Sequence, residues 1–484
     1  MQGSNVEQRN IFRNISPLDH RYLQSNRALF EGLSDYLSEE AAVRYCARVE
    51  AALVKTHLAL EGSLTETDES AVDAAAEKVD PHEVYAEEAR TQHNVRALVN
   101  VMQRGLPAEL QPFLHRAATS VDILDTAAAL RYRDAVRNVI LPLLLEVEEE
   151  LCRLSDEEAD TPQVGRTHGR HAVPITFGFA VAEYVARLGR SIRELESLSR
   201  DLRGKLSGAV GAYNALSLLV PDPFEFEREH LGRLGIGASE YATQVVEPEY
   251  LLRLLLELST AFGIIANLAD DLRHLQRSEI DEVRERFGEA QVGSSTMPQK
   301  RNPWNCEHIK SLWKAFAPRV MSFQLDQISE HQRDLSNSAS GRFVPEFFAG
   351  FVAAAERMRR VLTGLQVDRE RMLANLRMTG DLVLAEPAYI VLSAAGHADA
   401  HEIVRTLTVE CESQSSSMFE LLKRDPELWN GIVREFKRRS GLDAEAFFAS
   451  PERYNGQAAR RARELSARYR HTIAEIKEAL ADEF

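Results

Sequence analysis

Cysteine is scarce in this sequence of 484 residues, and the scarcity excludes two ways of stabilising a fold. The four cysteines, at positions 46, 152, 306 and 411, lie far apart and form no CxxC pair. This spacing fits neither a disulfide framework nor a zinc knuckle. A reducing cytoplasm is the simplest setting for such a chain.

Aromatic residues and long apolar runs are also few. Aromatics make up 7% of the chain and glycine contributes 25 residues, which argues against an all-β sandwich or barrel. No stretch of about 18 uncharged apolar residues occurs, and the polar residues 1–13 lack the apolar run of a signal peptide. With 44% apolar residues for a large core, we expect an all-α protein that is soluble and cytoplasmic.

Positive charge is in deficit. The 58 basic and 74 acidic side chains leave a net charge of -16, which argues against nonspecific binding to nucleic acid or to an anionic membrane. We therefore expect neither partner. An anionic substrate would have to meet a local cluster of cations.

Helical periodicity is the strongest structural signal in the chain. Apolar residues recur at intervals of three and four between Glu249 and Val283, which predicts a helix of many turns, and a second long helix is predicted after Pro174. Loops are predicted at 164–174 and 288–303. Long helices with wide apolar faces favour subunits packed in a symmetric oligomer, with a large monomeric bundle as the alternative.

One segment carries more chemical information than any other. From Gly293 to Pro303 the chain reads GSSTMPQKRNP, and packing does not demand glycine, serines, prolines and cations together. We predict a mobile loop followed by a helix from Trp304, so that a carboxylate near Asn302 would meet backbone N–H donors at the helix N-terminus. The alternative, an ordinary basic surface loop, does not account for the sequence pattern GSSxMPxKxNP. This pattern resembles the signature loop of the fumarase/aspartase superfamily.

The resemblance extends over most of the chain. Blocks at residues 16–22, 91–95, 119–122, 166–169, 207–211 and 332–334 look like those of the adenylosuccinate lyase family, in the same order. This resemblance implies an all-α fold of three domains: residues 1–119, a central long-helix bundle at 120–373 with the signature loop at 288–303, and a C-terminal helical domain at 374–484. It also implies a homotetramer whose active sites are shared between subunits, and no cofactor.

Release of fumarate from a succinyl-amine explains why such residues are needed. The elimination requires a base for a weakly acidic C–H proton, cations for the carboxylate on which charge develops, and an acid for the departing nitrogen. The catalytic positions that the resemblance identifies are Ser294, His168, Lys300, Glu307 and His93. By this resemblance Ser294 is the base and His168 the acid. Glu307 matches the position that pairs with a catalytic histidine, and Lys300 would hold the carboxylate.

Further positions match those that bind substrate in the family: Arg21, Tyr22, His115, Thr119, Ser120, Thr167, Gln244, Ser295, Met297, Asn302, Arg333, Ser338 and Arg342. Arg21 and Tyr22 resemble the pair that binds the monophosphate, for which an arginine fork and a phenol donor are suited. Because offsets of five and nine from Arg333 do not share one helix face, we expect a turn near Ser336.

The expected reaction is cleavage of adenylosuccinate to AMP and fumarate, with the equivalent step from SAICAR to AICAR in purine synthesis. Asn94 and Arg170 depart from the residues common in the family at those positions, so another fumarate-releasing lyase, acting on argininosuccinate or a substituted succinate, is the alternative. A structural protein that reuses the fold without catalysis is a third hypothesis. We expect no metal at His168 and His171, since no further ligand accompanies them and the superfamily's elimination needs none.

Overall fold

Helices account for most of the computed structural model, which describes residues 10–288, 293–334, 336–414 and 416–481. The N-terminal helices pack around the well-buried third helix and end before the turn that precedes Ser120. They are α1 (Arg21–Ser25), α2 (Arg27–Leu37), α3 (Glu39–Leu60), α4 (Glu66–Glu77), α5 (Pro81–Thr91) and α6 (Asn94–Gly105).

Long helices form the centre of the molecule. They and the shorter helices between them are α7 (Ser120–Ala135), α8 (Leu141–Glu157), α9 (Phe177–Arg200), α10 (Pro223–Arg233), α11 (Glu249–Leu275), α12 (Trp304–Phe316), α13 (Val320–Leu325) and α14 (Val344–Thr363). A π-helical turn at Val136–Ile140 joins α7 to α8 without a break. Helices α8, α9, α11 and α14 contact one another and enclose the apolar centre.

Shorter helices follow in the C-terminal part, before one long terminal helix. They are α15 (Arg369–Met378), α16 (Ala385–Ala394), α17 (Ala400–Gln414), α18 (Met418–Arg424), α19 (Pro426–Arg439), α20 (Ala444–Phe448) and α21 (Ala458–Ala481). Short strands pair as β1 (Pro162–Thr167) with β2 (Arg170–Thr176), β3 (Arg203–Gly204) with β4 (Gly237–Ala238), and β5 (Val283–Arg284) with β6 (Gln366–Val367). The fold is all-α, as the sequence predicts.

The described residues form a large and a small hydrophobic core. The large core unites the N-terminal and central helices, whereas the small one lies between Val383 and Phe448. Helix α21 packs against α8 and α9 and contributes to the large core. The segment 374–484, expected as one domain, therefore holds a unit with its own core and a helix that returns to the centre. The boundaries after residues 119 and 373 stay predictions.

Helix α11 is the long helix predicted from the periodicity, but it is shorter than predicted. It ends at Leu275, and the chain then turns back through Asp281, whose φ of 52° is left-handed, so that the Glu282 N–H donates to the Leu275 carbonyl at 2.9 Å. Val283 then enters β5. By length and a mean hydropathy of 1.6 the helix could cross a membrane, but 56% of its apolar window is buried inside the protein. A core helix passes the same test.

The segment 164–174, predicted as a loop, is a β-hairpin. Strands β1 and β2 are antiparallel and are joined at His168 and Gly169, which both have positive φ, 55° and 72°. Two consecutive residues of this kind make the tight turn whose twist matches paired strands. At the base, the buried Glu282 carboxylate accepts hydrogen bonds from Arg166, at 2.6 and 3.1 Å, and from Gln163 at 2.8 Å.

Glu148 is a buried ionisable residue that forms no ion pair with any residue that the structure describes. It lies on α8 beside Gly189 of α9 and Tyr469 of α21, and it is 1% exposed. Within the described part of the chain, neither carboxyl oxygen has a hydrogen-bond partner. Burial raises the pKa of Glu148 well above its usual range, so the folded protein favours the neutral acid.

Replacement of Glu148 by methionine is expected to raise the free energy of unfolding by about 1–3 kcal/mol at pH 8, since it removes an unpaired buried polar group. Because the folded state holds the Glu148 proton more tightly than the unfolded chain does, wild-type stability falls as the pH rises above 4.5. The gain should therefore be smallest near pH 4. Urea unfolding between pH 4 and pH 8 measures this gain in the free energy of unfolding. The control variant is Glu149→Met, since Glu149 is more exposed than Glu148. A variant less stable than wild type at pH 8 would contradict the expectation.

Candidate active site

The signature segment folds so that backbone amides surround the Ser294 hydroxyl. Ser294 Oγ accepts hydrogen bonds from the backbone N–H of Thr296 at 3.3 Å and of Met297 at 3.1 Å. The Asn302 amide donates to the Gly293 carbonyl at 3.0 Å and closes the loop. Such donors stabilise negative charge on the oxygen that they face, which is what an alkoxide base requires. Residues 289–292 of the predicted loop lie outside the described residues.

Helix α12 begins directly after this loop, as predicted, but the protein itself occupies part of its N-terminus. Glu285 accepts hydrogen bonds from the backbone N–H of Asn305 at 3.3 Å and of Cys306 at 3.0 Å. The expectation that these first-turn donors bind a substrate carboxylate is therefore wrong for these two groups. Glu285 instead acts as the cap that fixes the start of α12.

The other predicted side chains of this segment and of the first turn of α12 are exposed. Ser295, Met297, Lys300 and Glu307 present their side chains to solvent. Glu307 lies in the first turn of α12 and, within the described residues, forms no ion pair with a histidine. The expected pairing of Glu307 with a catalytic histidine is thus not made inside one protomer.

Arg21 and Tyr22 lie beside α12, although about 280 residues separate them from it in sequence. The Tyr22 hydroxyl is 2.9 Å from His308 Nε2, and the two rings stack at 5.8 Å. Burial and the charges of Arg357 and Arg21 lower the pKa of His308. Burial and these two positive charges therefore favour His308 in its neutral form.

Sequence reasoning missed His308 and Arg357. The Arg357 guanidinium lies over the Trp304 ring at 4.8 Å and donates to the Asn305 side chain at 2.6 Å. His308 directly follows Glu307, a predicted site residue, and this position next to it in sequence could have identified His308 as a candidate. Arg357 lies on α14, and no local pattern in the sequence marks it.

A second set of predicted residues gathers at the starts of α6 and α7. His93 caps α6 with Nδ1, which accepts from the Arg96 N–H at 3.2 Å. The neutral ring consequently carries its proton on Nε2, which is 3.3 Å from Ser120 Oγ. Thr119 precedes Ser120 and donates its backbone N–H to Asp122 at 2.8 Å. His93, Thr119 and Ser120 are therefore neighbours in one protomer.

His115 belongs to the loop that leads into this set. Its ring Nδ1 is 2.6 Å from the Glu50 carboxylate and its backbone N–H donates to the same carboxylate at 3.1 Å. Burial opposes protonation of the ring, but the hydrogen bond and charge of Glu50 outweigh it, with a further contribution from Asp122, and raise the pKa of His115. His115 is thereby favoured as a cation at a quarter-exposed position.

A buried charge cluster connects this region with a third set. Asp122 forms an ion pair with Lys205, and both side chains are completely buried. One turn along α7, Asp125 accepts from the Val246 N–H at 2.9 Å. Burial raises the pKa of Asp125 to about 6, against the lowering effects of that hydrogen bond, of Lys205 and of Arg333.

Gln244 and Arg333 lie at the edge of this cluster. The Gln244 N–H donates to the Gln332 carbonyl at 3.2 Å, so the two loops are joined. The chain turns after Ser336, as predicted from the offsets. Ser338 and Arg342 are exposed beyond this turn.

Thr167 and His168 lie at the tip of the β1–β2 hairpin, and both are exposed. Among the described residues, no hydrogen bond or ion pair joins the His168 side chain to another predicted site residue. One protomer therefore brings together His93 with Ser120 and Tyr22 with the helix after the Ser294 loop, but its described residues form no hydrogen bond or ion pair between the predicted acid His168 and the predicted base Ser294.

Two models of known protein families match consecutive stretches of the chain. A family model described as lyase matches residues 20–316, and one described as adenylosuccinate lyase C-terminal matches residues 329–439. The chain is 32% identical over 451 residues to an adenylosuccinate lyase of Pyrococcus abyssi, covering 92% of this chain and 95% of that protein. It is 32% identical over 375 residues to an N-acetyl-S-(2-succino)cysteine lyase of Enterococcus italicus, covering 76% and 80%.

Solved structures agree on the fold. A crystal structure of fumarate lyase from Mesorhizobium sp. BNC1 has a TM-score of 0.76 with 24% identity and covers 90% of this chain and 97% of that chain. A 3-carboxy-cis,cis-muconate lactonizing enzyme from Pseudomonas putida has the same TM-score and identity. Taken with the family models and the match to adenylosuccinate lyase along nearly the whole chain, these similarities show that the chain is a lyase belonging to the adenylosuccinate lyase family of the fumarase/aspartase superfamily.

Proposed function

We propose that the protein cleaves adenylosuccinate to AMP and fumarate, and SAICAR to AICAR and fumarate. The observation that carries the proposal is the Ser294 hydroxyl, which receives two backbone N–H donors inside the signature loop. The similarity to adenylosuccinate lyases over 92% of the chain supports the choice of substrate. Argininosuccinate and succinylated thiols are the competing substrates.

Each proposed role follows from the charge changes of a β-elimination. The Ser294 alkoxide takes a proton from the carbon next to a carboxylate, and Lys300 and Asn302 stabilise the negative charge that develops there. The electron pair then forms the double bond of fumarate as the C–N bond breaks. His168 donates a proton to the departing nitrogen. Glu307 pairs with a catalytic histidine, and predicted substrate-binding residues such as Arg21, Tyr22 and His115 orient the nucleotide part of the substrate.

Assembly into a homotetramer with shared sites accounts for the separation of these groups. His168 is exposed at a hairpin tip and Ser294 lies in a loop at the start of α12. A neighbouring subunit can supply one to the other, since symmetric assemblies place the same surfaces against each other repeatedly. We propose that each active site takes residues from three subunits.

A substrate panel tests the proposed reaction directly. Fumarate release is followed by ultraviolet absorbance with adenylosuccinate, SAICAR, argininosuccinate and N-acetyl-S-(2-succino)cysteine at equal concentration. The highest kcat/KM is expected for one of the two nucleotides. The similarity to the Enterococcus italicus enzyme makes the succinylated thiol the strongest competitor, and a preference for it would refute the nucleotide assignment.

Replacement of Arg21 by methionine is expected to lower kcat/KM for adenylosuccinate by about ten- to a hundredfold, because charge-assisted hydrogen bonds to the phosphate are lost. Methionine keeps much of the apolar stem, so the fold should persist. Steady-state kinetics measure the effect. The matched control is Arg27→Met, since Arg27 is exposed and forms an ion pair with the nearby Glu31. Equal losses in the two variants, or an unchanged rate with Arg21→Met, would exclude a phosphate site at Arg21.

A further inference from the structure

We propose that Glu50 is a positioning residue that holds His115 in its cationic form, with the Nδ1 edge turned inward and the Nε2–H edge presented to an anionic group of the substrate. The inference rests on the proposed function, in which His115 contacts the nucleotide. Glu50 is on α3, within a largely apolar helix, and neither its sequence neighbours nor the signature motifs mark it. Its position becomes informative only once the loop before α7 is placed against it.

The two oxygens of the Glu50 carboxylate are both directed at one residue. The Glu50 side chain is completely buried, with Oε1 2.6 Å from His115 Nδ1 and Oε2 3.1 Å from the His115 backbone nitrogen. A buried carboxylate costs free energy unless it is paired and hydrogen-bonded. This arrangement satisfies that requirement best when the ring carries protons on both nitrogens. Because Nδ1 faces Glu50, the Nε2 edge is the one available to a ligand.

The loop around His115 is held in a conformation that side chains rarely adopt. His115 and Ala117 have φ of 57° and 62°, in the left-handed region. Backbone of this kind persists only where surrounding contacts impose it. The Glu50 bond to the His115 N–H is one such contact, and the bond of His57 Nε2 with the Arg116 carbonyl at 3.0 Å is another. The same loop leads directly to Thr119 and Ser120, so its shape places those residues too.

The charges that face His115 come from three helices and favour the cation. Glu50 on α3 and Asp122 on α7 raise the pKa of His115, whereas burial and Arg96 on α6 lower it. Asp122 is already committed to Lys205 and to the backbone N–H groups of Thr119, Ser207 and Gly208. Glu50 is therefore the carboxylate that determines the charge of His115.

The test compares Glu50→Gln with wild type in the full-length protein. Glutamine keeps an acceptor for the His115 N–H but has no charge. NMR titration of the histidine rings without substrate should show the pKa of His115 lowered in the variant. The KM for adenylosuccinate at pH 7 should rise about tenfold, as expected when a charge-assisted hydrogen bond becomes neutral. The loss should diminish at lower pH, where His115 is protonated in both proteins.

Controls separate this role from a structural one. Glu61→Gln changes an exposed carboxylate that pairs with Arg116 of the same loop, and it should leave both the titration and KM unchanged. A raised KM in Glu50→Gln with an unchanged His115 titration would show that Glu50 acts only on loop shape and would overturn the proposal. So would a wild-type His115 that is neutral at pH 7, a measurement that requires no variant. Failure of the proposed function is seen independently, as absence of adenylosuccinate cleavage by the wild-type protein.

Discussion

Replacement of Ser294 by alanine is expected to reduce kcat for adenylosuccinate cleavage by about 10²- to 10⁴-fold, the range for loss of a general base. Affinity for the substrate should stay within about tenfold of wild type, because the base acts on the transition state more than on the bound ground state. The physical reason lies in the loop, where the Thr296 and Met297 N–H groups face Ser294 Oγ. With alanine those donors have no oxygen to stabilise.

Single-turnover kinetics and equilibrium binding separate the two quantities. Ser311→Ala is the matched control, since Ser311 is exposed on α12, away from the loop, and this variant should keep wild-type kcat. Retention of more than about a tenth of the wild-type rate by Ser294→Ala would remove Ser294 from the role of base.

Mixing two inactive variants is expected to restore activity if the active sites are shared. His168→Gln and Ser294→Ala should each be inactive alone. After co-expression in equal amounts, about a quarter of the sites should draw an intact His168 from one subunit and an intact Ser294 from another. The expectation follows from the structure of one protomer, where His168 is exposed at a hairpin tip and, within the part of the chain that the structure describes, no hydrogen bond or ion pair joins it to the Ser294 loop.

A second mixture provides the control. Lys300→Met and Ser294→Ala alter the same loop, so every subunit in that mixture carries a damaged loop and activity should stay at the level of the parents. If His168 and Ser294 of a single chain formed a site, the first mixture would also remain inactive. Fumarate release per total subunit concentration measures both outcomes.

Local sequence was enough to predict the features that depend on local chemistry. The apolar period of three and four predicts α9 and α11 because a helix places such residues on one side. The periodicity did not predict where α11 ends, since the chain after the helix turns back at Asp281 through contacts that are made only in the folded state. The loop predicted at 164–174 is a hairpin for the same kind of reason. Its Gln163 and Arg166 side chains donate to Glu282, which lies far along the chain and which the local sequence could not supply.

The candidate site likewise contains residues that local sequence predicts and residues that it does not. The motifs predict Ser294, Lys300 and His168 as site residues, because the side chains needed for the reaction are set by its chemistry. Glu285, Glu50 and His308 are not identified by wording. Each acts through a contact with a residue that is distant in sequence or lies in another element. Burial strengthens such contacts, and burial is a property of the folded chain.

What the sequence determined by itself is the all-α class, the family and the residue types that the elimination requires. These follow from periodicity and from motifs whose meaning does not depend on distant partners. Only the tertiary structure decided that Glu285 caps α12, that Glu50 faces His115, that α21 packs against the long helices, and that His168 is exposed at the tip of a β-hairpin. The physical reason is that electrostatic and packing energies depend on distance in space, which the order of residues along the chain does not specify.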